Sequence, residues 1–280
     1  MLKKMLCAAG VMLLMAFSGT QAAKYDAAPV ATIKARAERG DASAQCALAE
    51  CYDFGTCEGI LQNHSKARIW YEKAAAQGHA EAQYNLGVMY RNGQGVRQDY
   101  VKARKWYEKA AAQGHAGAQT NLGIMYDEGK GVRQDYAKAR EWYEKAAAHE
   151  GAHAYRTHFR LGIMYAEGQG GPQDYVQARK WLEKASAQGD FYAVSAQFEL
   201  GLMYYKGKGV RQDYAEARKW WEKAAAQGNS KSQIMLGAIY SQGQGVRQNK
   251  QTAREWYSKA CNNGYQRGCD AYRELNKAGF

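Results

Sequence analysis

The residues with the strongest claim to chemistry are His149, Glu150 and His153, which spell H-E-x-x-H. On a continuous helix this spacing sets two imidazoles on one face to hold zinc and leaves the glutamate to activate water for hydrolysis. The surrounding string argues against that reading. AAAHEGAHA stands where the preceding copy has AAAQGHAGA, so Gly151 falls near a helix-ending glycine, and the helix is expected to stop between the two histidines. His153 then matches His79 and His115 of ordinary QGHA strings, and a chance metal site with His158 is the weaker alternative. No G-x-S-x-G, no G-x-x-x-x-G-K followed by Ser or Thr, and no S-x-x-K is present, which removes the usual nucleophile elbow, phosphate loop and serine β-lactamase signatures. The expectation is therefore no catalytic residue, no metal and no cofactor.

The elements that would position any site come from a repeat. Tryptophan recurs at Trp70, Trp106, Trp142, Trp181, Trp220 and Trp256, in steps of 36, 36, 39, 39 and 36, a period that means stacked supersecondary units. Each unit reads approximately AQxxLGxMYxxGxGVRQDYxKARxWYEKAAAQG. Apolar residues fall at helical spacing in both halves, as in Leu86, Met89 and Tyr90 and then Ala103, Trp106, Tyr107, Ala110 and Ala111. A unit is thus helix A, a joint and helix B, and the tryptophans are expected in the core. The boundaries follow: 1–22 a cleaved signal peptide, 23–42 an N-terminal capping helix, 43–264 six units, and 265–280 a C-terminal capping helix. Three extra residues precede helix A of the fourth and of the fifth unit, and insertions of this kind are expected in loops.

The motif LGxMYxxGxGVxxDxxKAxxWYxKAAxxG resembles the Sel-one-like repeat, a relative of the tetratricopeptide repeat, over nearly all of the chain after the signal segment. The resemblance implies an all-α, right-handed α/α superhelical solenoid of 36–39-residue repeats acting as an adaptor between proteins, often in bacterial envelopes. In its cysteine-rich branch a KAC string, seven residues and a second Cys form a bridge; this implies a disulfide between Cys261 and Cys269. Some of those relatives have been linked to penicillin binding. Fold alone does not fix function. Cys51 and Cys57 form a second candidate pair, because the first joint is two residues longer than the others and Cys57 lies in the excess. Cys46 shares the column of Tyr84, Phe159 and Phe198 and reads as a small buried apolar residue.

The six joints read EGILQNH, QGVRQDY, KGVRQDY, GGPQDY, KGVRQDY and QGVRQNK. Glycine there suits the left-handed end of helix A, and Asn63, Asp99, Asp135, Asp174, Asp213 and Asn249 suit the N-cap of helix B. The repeated string is hence a structural joint, and specificity is sought where the copies disagree, on exposed positions of the A helices lining a concave surface. The column before the LG leucine holds Ala47, Asn85, Asn121, Arg160, Glu199 and Met235; the one after the MY tyrosine holds Asp53, Arg91, Asp127, Ala166, Tyr205 and Ser241. Asn85, Arg91, Asn121, Asp127, Arg160, Glu199, Tyr205 and Met235 are the candidate partner-binding residues.

The first residues, MLKKMLCAAGVMLLMAF followed by SGTQA, carry two lysines, an apolar run and small residues Thr20 and Ala22 before a cut. That is a secretory signal rather than a membrane span, with Cys7 discarded with it, so a periplasmic or secreted monomer without an integral membrane segment is expected. The formal net charge is +12, and in an exported protein this favours acidic proteins, anionic headgroups or cell-wall polymer over nucleic acid as counterparts. Three functions fit: an adaptor that grips a partner protein in its groove, an immunity protein that neutralises an envelope-delivered toxin, and a β-lactam or cell-wall binder with weak hydrolase activity.

Overall fold

The structure, a computed structural model, describes residues 29–149, 154–187 and 191–279. The signal segment 1–22, Glu150 and His153 lie outside the described residues. The chain forms two compact units, Met1–His153 and Ala154–Phe280. In the first run helices α1 Val30–Glu38, α2 Ala42–Phe54, α3 His64–Ala76, α4 Ala80–Asn92, α5 Tyr100–Ala112, α6 Ala116–Glu128 and α7 Tyr136–Ala147. The second holds α8 Ala154–Glu167, α9 Tyr175–Ala185, α10 Phe191–Lys206, α11 Tyr214–Ala226, α12 Ser230–Gln242, α13 Lys250–Asn262 and α14 Gln266–Lys277. Among the described residues there is no strand, and the fold is an all-α repeat solenoid.

Each even-numbered helix from α2 to α12 is a helix A, and it packs along the helix B that follows it. Alanines such as Ala103, Ala110 and Ala139 are fully buried and let the backbones approach. At the crossing, a buried large side chain of helix B rests on the glycine of the LG pair: a Cβ on Gly123 would come within 2.6 Å of the Tyr143 ring. Tyr107, Tyr143, Leu182, Trp221 and Tyr257 fill this place and are buried, as is Tyr71 in the first repeat, where Ala49 stands for the glycine. The tryptophans expected in the core stand one residue earlier, at Trp70, Trp106, Trp142, Trp181, Trp220 and Trp256, and are half-buried. One residue is a turn of about 100° on a helix, enough to move them from the A–B seam to the boundary with the preceding repeat. Trp106, for instance, packs on the core of α3 and α4. Their outer faces are covered by lysines three residues on, from Lys73 over Trp70 at 3.9 Å to Lys145 over Trp142 at 4.5 Å.

Two expectations about the spacers need correction. The three residues inserted before the fifth helix A do not all form a loop: α10 has 16 residues, whereas α4 and α6 have 13. Phe191, Tyr192 and Ala193 continue the helix, with Ala193 and Ala196 buried. The helix before the H-E-x-x-H string stops earlier than between the two histidines. It ends at Ala147, capped by Ala148, before His149 is reached.

At the two ends of the described chain α1 seats Ile33 and Ala37 against Ala44 and Leu48 of α2, and α14 places Leu275 with Ala253 and Tyr257 of α13. Disulfides join Cys51 to Cys57, with Cα atoms 5.2 Å apart, and Cys261 to Cys269, with Cα atoms 4.5 Å apart. Cys46 is free and buried.

Candidate functional site

The cap residue and the glutamine of each joint are satisfied internally. Asn63, Asp99, Asp135, Asp213 and Asn249 each accept from the backbone N–H three residues on, at 2.9 to 3.0 Å, and Asp174 accepts from both Val176 and Gln177. The preceding glutamine reaches back to the end of helix A. Gln62, Gln98, Gln134, Gln173, Gln212 and Gln248 donate through Nε2 to the carbonyls of Asp53, Arg91, Asp127, Ala166, Tyr205 and Ser241, at 2.7 to 2.8 Å. The string QD therefore ties off one helix and opens the next.

The QGHA histidines also have a structural task that their sequence context did not disclose. His79 and His115 are N-caps of α4 and α6: each Nδ1 accepts from the N–H of Ala82 or Ala118, at 3.4 and 3.1 Å. Asp41 and Asn229 do the same for α2 and α12. Burial depresses the His79 pKa, opposed by the charges of Glu81 and Asp41.

A glutamine ladder links the repeats. Gln45, Gln83, Gln119 and Gln233 are buried and donate to the last-turn carbonyls of the preceding helix, Ala37, Ala75, Ala111 and Ala225. Within the same repeat the Oε1 atoms of Gln45, Gln83, Gln197 and Gln233 accept from the residue that ends helix B: from Gln77 and Gln113 at 2.8 Å, from Gln227 at 3.0 Å, and from Asn263 at 3.1 Å. Only the constancy of AQ and AAAQG in the string hinted at this.

Successive A helices touch, α4 with α6 and α8 with α10, and among the described residues successive B helices stay further apart. Within each unit the A row thus lies on the inner side of the curve. The candidate columns sit on this row, but not as exposed readers. Asn121 and Asp53 are buried and the remaining candidates are half-buried. The reason is that neighbouring A helices shield each other, so their polar groups bond across the gap. In the first unit Arg91 donates to Asn121 Oδ1 at 3.1 Å, His115 Nε2 meets Glu81 Oε2 at 3.1 Å, and the Tyr84 ring stacks on His115 at 4.5 Å. Tyr143 donates to Asp127 at 3.2 Å, and His64 Nδ1 lies 2.7 Å from Asp53.

In the second unit the row is more apolar and holds one carboxylate in a cationic setting. Burial pushes the Glu199 pKa up while Lys231, Lys206 and Lys208 pull it down, and Glu167 adds to the rise. Tyr205 makes edge contact with Tyr214 at 5.2 Å and meets Trp221 at 5.5 Å; Met235 packs on the same core. Arg160 and Asn85 are half-buried on their A helices. Among the described residues no group of three or more His, Cys, Asp or Glu could hold a metal ion, and no helix is long and apolar enough to cross a membrane. What the row can do is bind, through mixed amide, charge and aromatic contacts.

The model of the Sel1 repeat matches residues 42–79, 80–115, 116–150, 157–190, 194–229 and 230–265. A solved protective antigen of uropathogenic Escherichia coli strains, displaying an SLR fold, is 34% identical with a TM-score of 0.62; the match covers 90% of this chain and 60% of that one. The Sel1 repeat protein from Oxalobacter formigenes is 35% identical with a TM-score of 0.64, over 79% of this chain and 86% of that structure. Chitin synthase regulatory factor 3 of Schizosaccharomyces pombe is 40% identical over 60 residues, and this chain spans just 6% of that protein's length. Proteins of this repeat generally mediate protein–protein interaction and are generally non-enzymatic. With six matched segments laid over six helix pairs that share one joint and one cap, the chain belongs to the Sel1 repeat family.

Proposed function

We propose that the chain is an exported adaptor that holds a segment of a partner protein against the inner row of A helices. The observation that carries this reading is the contrast along that row. Leu86, Leu122, Leu161, Leu200 and Leu236 are constant and fully buried, whereas the adjoining column changes from Asn85 and Asn121 to Arg160, Glu199 and Met235. Variation of charge, amide and apolar type beside a constant buried leucine is what a recognition surface requires. Arg91, Asp127 and Tyr205 flank it at the other column.

Export is supported by the opening segment and by two disulfides, which persist in oxidising compartments. If it holds, the protein recovered from a periplasmic or culture fraction begins near Ala23 by N-terminal sequencing. The binding reading is tested by affinity capture from an envelope extract with the mature chain and with a variant carrying Arg91→Ala, Asn85→Ala, Tyr205→Ala and Met235→Ala. Proteins identified by mass spectrometry should be held by the parent and lost by the variant, with circular dichroism unchanged. Identical captured sets, or retention of β-lactams with no protein, defeats the proposal.

A further inference from the structure

One edge of the repeat carries charge that the fold does not use. The residue before the joint glutamine is Arg97 and Arg133 in the first unit and Arg211 and Arg247 in the second, while Leu61 and Pro172 stand at the other two joints. All four guanidinium groups are exposed, and among the described residues none has a hydrogen-bond or ion-pair partner. The B-helix arginines behave differently: Arg68, Arg104, Arg179 and Arg218 each pair with a glutamate one turn on. The joint acids are already engaged, because Asp99 and Asp135 cap helices and pair with Lys102 and Lys138 at 3.8 and 3.7 Å.

A cleft opens at this edge at the same place in both units. In the first, Arg68, Tyr90, Val96, Arg97, Asp99 and Lys102 line a cleft of ≈ 720 Å³. In the second, Arg218, Tyr240, Val246, Arg247, Asn249 and Lys250 line one of ≈ 700 Å³. Cations outweigh acids in both, and neutral Asn249 replaces the aspartate in the second. Each cleft also offers a valine and a tyrosine ring.

These features select a ligand. A free guanidinium fork matches a carboxylate in bidentate fashion. Adjacent joints are separated by about one helix-packing distance, roughly 8–10 Å. A peptide in the polyproline-II conformation brings every third side chain to the same side at about 9 Å. We propose that the joint edge is a docking surface for an extended acidic peptide, with carboxylates at every third residue meeting Arg97 and Arg133, or Arg211 and Arg247, and apolar side chains entering the clefts. The valine and tyrosine of each cleft favour a peptide over a phosphate polymer, which would leave them uncovered. The arginines of this surface are not in the candidate columns of the inner row, and the proposal does not depend on that row having a partner.

The test is fluorescence anisotropy of a labelled (Pro-Glu-Val)6 peptide with the full chain at low salt. Binding is expected to weaken at least about tenfold in the R97Q/R133Q/R211Q/R247Q variant, and also when the glutamates of the peptide are replaced by glutamine. A K34Q/K105Q/K180Q/K277Q variant, with the same charge change at other exposed sites, is expected to stay within about twofold of the parent. Circular dichroism reports that both variants are folded. Equal losses in the two variants reduce the effect to net charge and overturn the proposal. So does arginine-dependent binding of polyphosphate without binding of the peptide, which would assign the edge to a phosphate polymer.

Discussion

At the scale of single residues, most of the conspicuous polar side chains close hydrogen bonds of the backbone. Asp135→Asn keeps the oxygen that accepts from Lys138 N–H and loses a weak exposed pair, so thermal unfolding should move little; Asp135→Ala should cost about 0.5–2 kcal/mol. His79 offers a pH-dependent counterpart. Its cap needs an unprotonated Nδ1, and its folded pKa is depressed below the ordinary 6.5 by burial. The unfolded chain then takes up the proton first as pH falls, so this contribution is complete above about pH 6.5 and is lost as pH drops through the folded pKa. In His79→Asn, which copies Asn229 at the same place, the decline of stability between neutral and mildly acid pH should be shallower by urea titration. Cys46, buried and held protonated by burial and by Glu50 and Glu81, should resist iodoacetamide until the chain is unfolded. The aspartate caps were legible because Asp and Asn are ordinary caps in a fixed string. The histidine caps were not, since imidazole serves that role only when neutral and its string also suits a loop.

Among elements, the glycines divide into those that only permit a turn and those that keep repeats together. Gly114 has φ +82° with nothing within 4 Å of an added Cβ, whereas at Gly131, φ +70°, the Cβ would meet the backbone of Tyr100 in the preceding repeat at 2.7 Å. Gly114→Ala should cost about 1 kcal/mol, and Gly131→Ala clearly more, as calorimetry on the two variants can show. The last disulfide clips α14 to α13. Removing it with Cys261→Ser and Cys269→Ser should cost roughly 2–3 kcal/mol and raise hydrogen exchange in α14 before any other helix. The alternation of A and B helices was plain from apolar spacing and the joint. The place of the tryptophans was not, because neighbouring positions on an alanine-rich helix both look apolar, and only the seat beneath Tyr107 or Tyr143 decides which one is buried. The lengthened α10 was missed for a related reason: Phe191, Tyr192 and Ala193 suit a loop by count but extend the helix, with Ala193 buried and the Tyr192 ring 6.0 Å from that of Phe159.

Across the whole molecule, stability is distributed over contacts between neighbours, so the chain should tolerate loss of an internal unit better than loss of an end. Deleting residues 80–115 joins His79 to Ala116 and restores the QGHA string; circular dichroism should show a helical, cooperatively melting product. The repeat architecture was readable from the six tryptophan steps, whereas the inner row was only partly so, since shielding between neighbouring A helices depends on curvature that no single repeat encodes. The glutamine ladder carries a consequence at the level of the gene. The bond between repeats runs from a glutamine of helix A to a backbone carbonyl of the repeat before, as from Gln83 to Ala75 and from Gln233 to Ala225, so a unit that carries the glutamine, spliced in or out, finds its bond in whichever unit comes before. Nearly identical tandem stretches of DNA recombine unequally, and this fold would translate such events into working proteins. Alleles from different isolates should then vary in length by whole multiples of a unit.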